Sequence, residues 1–369
     1  MTANGPGDAP GVVDVVALGE SMVTFLPSRP GRLADVPSFD RGIGGAESNV
    51  ACVLAAAGHS TRWVSRVGAD GFGDHLVETI AGYGVDVGSV RRDRARPTGV
   101  YFRTAGDRAG DAHEVAYYRT GSAASAMRPG SVDLAAVRAG RILHLSGITA
   151  ALSEGCLALL RELVRPRPGR PVVSFDVNHR PGLWRDTSGG RLLLDLARTA
   201  DIVFVGRDEA EEAWGLKGDA QRIRDLLPEP GVLVVKDGER GATAFEGHGS
   251  RRPPGRGAAP ATDARSDTPP VKTHVPSLSV EVSAATGAGD AFAAGFLSAT
   301  LRGLPARDRL RHGHLMAAAA LTAPGDLAAP PSRDHADRLA ALDDDAWGRL
   351  RLGPGWTQAG QAPEEVRTP

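Results

Sequence analysis

Thr286-Gly287-Ala288-Gly289-Asp290-Ala291-Phe292 is the stretch that decides how this chain is read. Ahead of it, Val280 and Val282 alternate with Ser279 and Glu281, so Ser279 to Val282 reads as a short strand. Behind it, Ala291 to Leu301 is small, apolar and helix-permissive. Gly-Ala-Gly-Asp therefore sits where a loop opens a helix. Two glycines keep Cβ atoms away and let backbone N–H groups face a ligand. The start of a helix carries unpaired N–H groups and a partial positive charge, which favour an anion. Asp290 falls in the first turn. A carboxylate beside such an anion hole can take a proton from a hydroxyl while the hole holds a phosphoryl group. The same aspartate also reads as a plain helix N-cap, and these seven residues do not choose between the two.

Working outward, a second glycine-rich run opens a helix near the start of the chain. It is Gly42-Ile43-Gly44-Gly45-Ala46-Glu47-Ser48-Asn49-Val50-Ala51, preceded by a β-branched strand over Val12 to Leu18 and another over Met22 to Leu26. The Gly-x-Gly-x-x-Gly spacing of dinucleotide sites is absent. Close glycines here let a polyol approach the backbone at Gly45, and Asn49 can hydrogen-bond its hydroxyls; a tight turn with a locally bonded asparagine reads equally well. Arg62 to Val67 is another strand, and Asp74 to Tyr83 a helix. Gly99 to Thr104 and Glu114 to Arg119 read as two strands of a small sheet standing off the main body. Alternation puts Tyr101 with Arg103 on one face and Tyr117 with Arg119 on one face. A tyrosine and an arginine together suit a ligand with hydroxyls and a carboxylate, although a solvated strand face has the same pattern.

The middle of the chain alternates strand and helix, which implies a mostly parallel sheet covered on both sides. The strands are Arg141 to Leu145, Pro171 to Val177, Asp201 to Val205 and Gly231 to Val235; helices are expected over Ser153 to Val164, Gly190 to Ala200 and Asp208 to Gly215. If the strand over Pro171 to Val177 persists, Asp176, Asn178 and Arg180 project the same way, at the C-terminal end of a parallel strand, where open α/β sheets bind ligands. Residues 247–270 are rich in Pro, Gly and Arg without hydrophobic period and read as a disordered insertion. Helices follow at Arg309 to Leu321 and Arg333 to Leu342, separated by a turn at Gly325-Asp326.

The chain has 369 residues, 41% hydrophobic and 24% charged, with a formal net charge of -1. That balance argues against a partner held by bulk charge, whether nucleic acid or membrane surface. The two cysteines, Cys52 and Cys156, lie in apolar segments and read as buried thiols of a reducing cytosol. No apolar run reaches the length of a bilayer span. Residues 1–11 read as a floppy tail without a signal pattern, and 343–369 as a polar C-terminal tail; 12–342 is expected to be one domain.

Three motifs in order resemble one family. Gly44-Gly45-Ala46-x-x-Asn49-x-Ala51, Lys236-x-Gly238-x-x-Gly241-Ala242 and Gly287-Ala288-Gly289-Asp290 look like the ribokinase-like (PfkB) carbohydrate kinases. Within it, Gly19-Glu20, Thr98-Gly99-Val100-Tyr101, Tyr117-Tyr118-Arg119-x-x-Ser122-Ala123 and Asp176-Val177-Asn178-x-Arg180-x-x-Leu183-Trp184 look most like 2-keto-3-deoxygluconate kinases. The resemblance implies a three-layer α/β sandwich with a small β-sheet lid (strands about 20–42 and 97–120) that often helps form dimers, so a homo-oligomer through the lid is expected. It implies transfer of the γ-phosphoryl of ATP, with Mg²⁺, to a sugar-acid hydroxyl in the cytoplasm. Asp290 would be the base, with Gly287, Ala288 and Gly289 as the anion hole. Gly45, Asn49, Tyr101, Tyr117, Arg119, Arg180 and Asp326 would face the sugar acid. Asn178, Lys236, Gly238, Gly241, Ala242 and His314 would face the nucleotide, and Glu209 the metal and phosphates.

Three departures from the family pattern stand out. Ala284 and Ala285 replace an Asp-Thr pair, which puts monovalent-cation activation in doubt. Gly206 replaces the Asn of an Asn-x-x-Glu motif that keeps Glu209. His314 stands where a helix asparagine is frequent. The rival readings are a fructokinase, which shares the Asp-x-Asn-x-Arg-x-x-Leu-Trp pattern, and a catalytically silent sugar-binding regulator. A neutral sugar would not need Arg119, and a silent regulator would not need Asp290. A dinucleotide oxidoreductase lacks its glycine spacing.

Overall fold

The computed structural model describes residues 10–29, 31–104, 114–184, 188–247, 271–284 and 286–361. The N-terminal tail expected over residues 1–11 therefore lies almost wholly outside the described residues, as does nearly all of the 247–270 insertion.

The chain opens with β1 (Val13–Leu18), leaves it through Gly19-Glu20-Ser21 for β2 (Met22–Pro27) and β3 (Phe39–Gly44), and returns through α1 (Ala46–Ala56). Next come β4 (Thr61–Val64), β5 (Arg66–Gly68), α2 (Gly71–Gly82), β6 (Arg91–Asp93), β7 (Val100–Arg103) and β8 (Val115–Tyr118). The central repeat is α3 (Leu134–Arg138), β9 (Gly140–Ser146), α4 (Gly147–Ala151), α5 (Glu154–Val164), β10 (Val172–Asp176), α6 (Gly189–Thr199), β11 (Ile202–Gly206), α7 (Arg207–Trp214), α8 (Ala220–Leu226) and β12 (Val232–Lys236). The chain then forms β13 (Ala242–Glu246), β14 (Val271–Val275), β15 (Ser279–Val280), α9 (Ala288–Leu301), α10 (Ala306–Leu321), α11 (Arg333–Ala340), α12 (Asp344–Arg349) and β16 (Arg351–Leu352).

Eight strands make the main sheet in the order β14-β13-β12-β11-β10-β9-β1-β4, parallel except for the antiparallel pairs β12/β13 and β13/β14. Successive residues of a strand face opposite sides, and the two cores divide accordingly. Val15, Ile142, Val172, Phe204 and Val234 pack with α1, α9 and α10; Val16, Leu143, Val173, Val203 and Leu233 pack with α5 and α6. Strands buried on both faces read as continuous Val/Ile/Leu runs, which is the parallel-sheet signature. A third cluster, including Val23, Ile43, Cys52, Trp63 and Leu76, fills the angle beneath the smaller sheet. That sheet runs β3-β2-β7-β8, as the stand-off strands led one to expect. Both cysteines are buried and free. Among the described residues no helix is long and apolar enough to cross a membrane.

Four expectations need correction. The strand expected over Arg62 to Val67 breaks at Ser65 into β4 and β5, and β5 joins a separate two-stranded pair with β6. The strand ahead of Thr286 is only Ser279–Val280, and it pairs with β16 instead of joining the main sheet. β10 ends at Asp176, and Asn178 takes a left-handed backbone with φ 39°, so the alternation through Arg180 fails. The C-terminal tail expected from 343 begins too early. In α12, Trp347 is 1% exposed and its Nε1 donates to Pro276 O at 3.0 Å. The seven-residue helix α8, capped by Asp219, also escaped the sequence reading; it is too short for its apolar period to register.

Candidate active site

The site forms at the C-terminal ends of β10, β11 and β12, where Asp176 stands opposite Phe204 and, two residues further along β11, Gly206 stands opposite Lys236. Here the helices facing the sheet begin, and their free N–H groups converge. Gly287 is left-handed, with φ 81°, and a Cβ there would lie 2.3 Å from the carbonyl oxygen of Asp326. Only glycine meets both conditions. α9 then starts at Ala288 and places Asp290 in its first turn.

Asn49, one turn into α1, donates from Nδ2 to Asp290 Oδ2 at 2.8 Å. Burial pushes the Asp290 pKa up to about 7; the Asn49 hydrogen bond and the Lys236 and Arg180 charges pull it down, while Asp176 pushes it up. Lys236 Nζ bonds Asp176 Oδ2 at 3.0 Å and stands 3.6 Å from where a Gly289 side chain would begin. Burial opposes the Lys236 charge, but the Asp176 and Glu209 carboxylates outweigh it and its pKa rises. Glu209 Oε2 accepts from Gly206 N at 2.8 Å, its other oxygen lies 3.5 Å from Arg180, and burial raises its pKa. The result is a carboxylate with its pKa raised to about 7, in hydrogen-bond contact with an amide, at a helix start beside a partly buried cation. Such a group can accept a hydroxyl proton while the helix start and Lys236 hold an anion.

The pfkB family carbohydrate kinase model matches residues 13–333. The chain belongs to the pfkB family of carbohydrate kinases. Among the relatives of this carbohydrate kinase, a 2-dehydro-3-deoxygluconokinase of Bacillus subtilis (strain 168) is 33% identical, over 87% of this chain and 94% of the relative. A fructokinase-2 of Zea mays is 30% identical, over 77% and 78%. The crystal structure of a PfkB protein from Polaromonas sp. JS666 superposes with a TM-score of 0.71 at 30% identity, covering 90% of this chain and all of that one.

In the kinase, the three motifs do meet. Gly45 caps α1, and a Cβ on it would lie 2.4 Å from Glu20 O. Gly238 and Gly241 are both left-handed (φ 53° and 110°) in the turn after Lys236, and Ala242 begins β13 as a buried residue. Asn178 is buried just past Asp176, its Oδ1 without a partner. Tyr117 is half-exposed and its ring lies 5.5 Å from that of buried Tyr101. Arg180 is more than half exposed.

Other expected ligand groups are already engaged. Arg119 does not stand free: its Nε donates to Glu20 Oε2 at 2.8 Å, Nη2 makes a second bond to the same oxygen, and Ser122 Oγ bonds Oε1. Asp326 binds Arg103 Nη2 at 2.5 Å and Tyr101 Oη at 2.8 Å. His314 lies in the core, edge-on to Phe292 and with Nε2 3.2 Å from Val275 O, and burial pushes its pKa down to about 4. Glu20 carries no site reading in the sequence beyond its place in the Gly19-Glu20 motif. Asp176 and Arg103 were legible as ligand-facing candidates, one at the C-terminal end of its strand and the other on the Tyr101 face, but their partners Lys236 and Asp326 were not.

Proposed function

We propose that the protein transfers the γ-phosphoryl of ATP to a hydroxyl of a sugar acid, 2-dehydro-3-deoxygluconate, giving its 6-phosphate. Asp290 carries this reading, as a partly buried carboxylate with its pKa raised to about 7, at the start of α9 with Asn49 as its partner. Asp290 takes the hydroxyl proton as the sugar oxygen forms its bond to the γ-phosphorus. The bond from that phosphorus to the β-bridging oxygen breaks, and ADP leaves. The N–H groups of Gly287, Ala288 and Gly289 and the Lys236 ammonium take up the phosphoryl charge. Among the described residues no group of three or more His, Cys, Asp or Glu forms a metal cage. Asp176 and Glu209 would hold a Mg²⁺, which would neutralise the phosphate charge.

The sugar-acid assignment draws on the 2-dehydro-3-deoxygluconokinase relative and on Arg180, a solvent-reaching cation beside Glu209. One observation favours a second reading, a fructokinase: Arg119 is bound to Glu20 and leaves one fewer cation for a substrate carboxylate. The test is ATP consumption by the purified protein with Mg²⁺ against 2-keto-3-deoxygluconate, its galacto epimer, gluconate, fructose and ribose. Turnover on the keto-deoxy acids is the expected result. Turnover on fructose alone overturns the substrate and keeps the chemistry. Tight sugar binding without turnover overturns the kinase mechanism.

A further inference from the structure

We infer that Arg103, on strand β7 of the small sheet, is a positioning residue whose ion pair with Asp326 sets the contact between Asn49 and Asp290. The inference rests on Asp290 acting as the base.

Asp326 lies between the two glycine-rich openings of α1 and α9. Its backbone carbonyl sits where a Cβ on Gly287 would be, 2.3 Å away, and its Oδ2 lies 2.6 Å from where a Cβ on Gly44 would be. Gly44 ends β3 and leads into α1, which carries Asn49; Gly287 caps α9, which carries Asp290. The spacing of the two helix starts therefore depends on where Asp326 sits. Asp326 is held from one direction, by the small sheet. Arg103 binds Oδ1 at 2.5 Å and Tyr101 binds Oδ2 at 2.8 Å, two alternate residues of one strand reaching the same carboxylate. The side chains of Arg103 and Asp326 are each 3% exposed, so the pair is desolvated and its geometry strictly held. Arg103 makes none of the Asp290 contacts and acts only through this chain of packing.

The experiment is steady-state kinetics of Arg103→Met across the Asp290 titration, with melting recorded beside it. The groups facing Asp290 are Asn49 from α1, Asp176 at the end of β10, Arg180 in the loop that follows β10, and Lys236 at the end of β12. None of these is changed. Misplacing the Asn49 amide should lower kcat between about tenfold and 10²-fold. It should also move the acid limb of the rate profile to higher pH, because that hydrogen bond holds the Asp290 pKa down. Arg103→Lys should recover part of both. Arg103→Met leaves a buried carboxylate unpaired and can unfold the protein; Arg103→Met with Asp326→Asn removes that charge and should show the same kinetic loss in a folded protein. A folded variant with parental kcat and acid limb overturns the inference, as does a kcat loss with an unmoved acid limb. Asp290→Asn is the control. If it turns over normally, the base assignment has failed; if it is dead while the Arg103 variants are normal, only the role of Arg103 has failed.

Discussion

Asp290 is a carboxylate held where charge is disfavoured, and that position has two consequences of opposite sign. Its pKa is raised to about 7. As the proposed base it works only deprotonated, so kcat/KM should fall as pH drops through about 7. Stability runs the other way. The folded state binds this proton more tightly than the unfolded chain, so stability declines as pH rises from the ordinary carboxylate pKa to about 7, and the full penalty stands above that. Asp290→Asn should therefore lower kcat by at least about 10²-fold while sugar binding survives. The same variant should melt above the parent at about pH 8, keep less of that advantage near about pH 5, and lose it only as pH falls below the ordinary carboxylate pKa of about 4. Turnover within a few-fold of the parent would remove Asp290 from the chemistry, and an equal melting gap at both pH values would remove its titration from the stability balance.

At the scale of the element, the small sheet separates two arginines that a sequence pattern treats alike. Arg119, just past β8, neutralises Glu20, which is 3% exposed. Arg119→Leu should strand that carboxylate and cost about 3–5 kcal/mol of stability by denaturant unfolding. Arg180, 54% exposed beyond β10, makes only a loose ion pair, 3.5 Å from Glu209. Arg180→Leu should leave melting nearly unchanged and raise KM for sugar acids more than for neutral sugars; equal effects on both would end its role as carboxylate partner. Strand alternation was legible where the strand persists: Tyr101 and Arg103 do share a face. It failed at Asp176, Asn178 and Arg180 because the chain turns left-handed at Asn178. Nothing in the side-chain pattern announces that turn.

At the scale of the whole molecule, the three motifs and the parallel sheet were legible because helix starts, glycine spacing and apolar runs are local signals. The ion pairs that fix the site were not. Arg103 meets Asp326 across 223 residues and Arg119 meets Glu20 across 99, and no periodicity spans such intervals. The C-terminal boundary failed for the same reason: the polar surroundings of Trp347 hide its long-range partners, Pro276 and the Arg311 guanidinium 4.6 Å over its ring. Trp347→Ala should cost about 3–5 kcal/mol by denaturant unfolding. A loss below 1 kcal/mol, about the size of a surface change, would return residues beyond 342 to the status of a tail.

The hydrogen bond from Asn49 to Asp290 joins residues 241 positions apart. On a ribosome adding about 5–20 residues per second, Asn49 emerges roughly 10–50 s before its partner exists. Through that interval the nascent chain can shape the first half of the sheet, but it lacks Asp290, the proposed base. Catalytic competence is thus gained late in translation, in one step, and a chain that stalls before α9 is released inert.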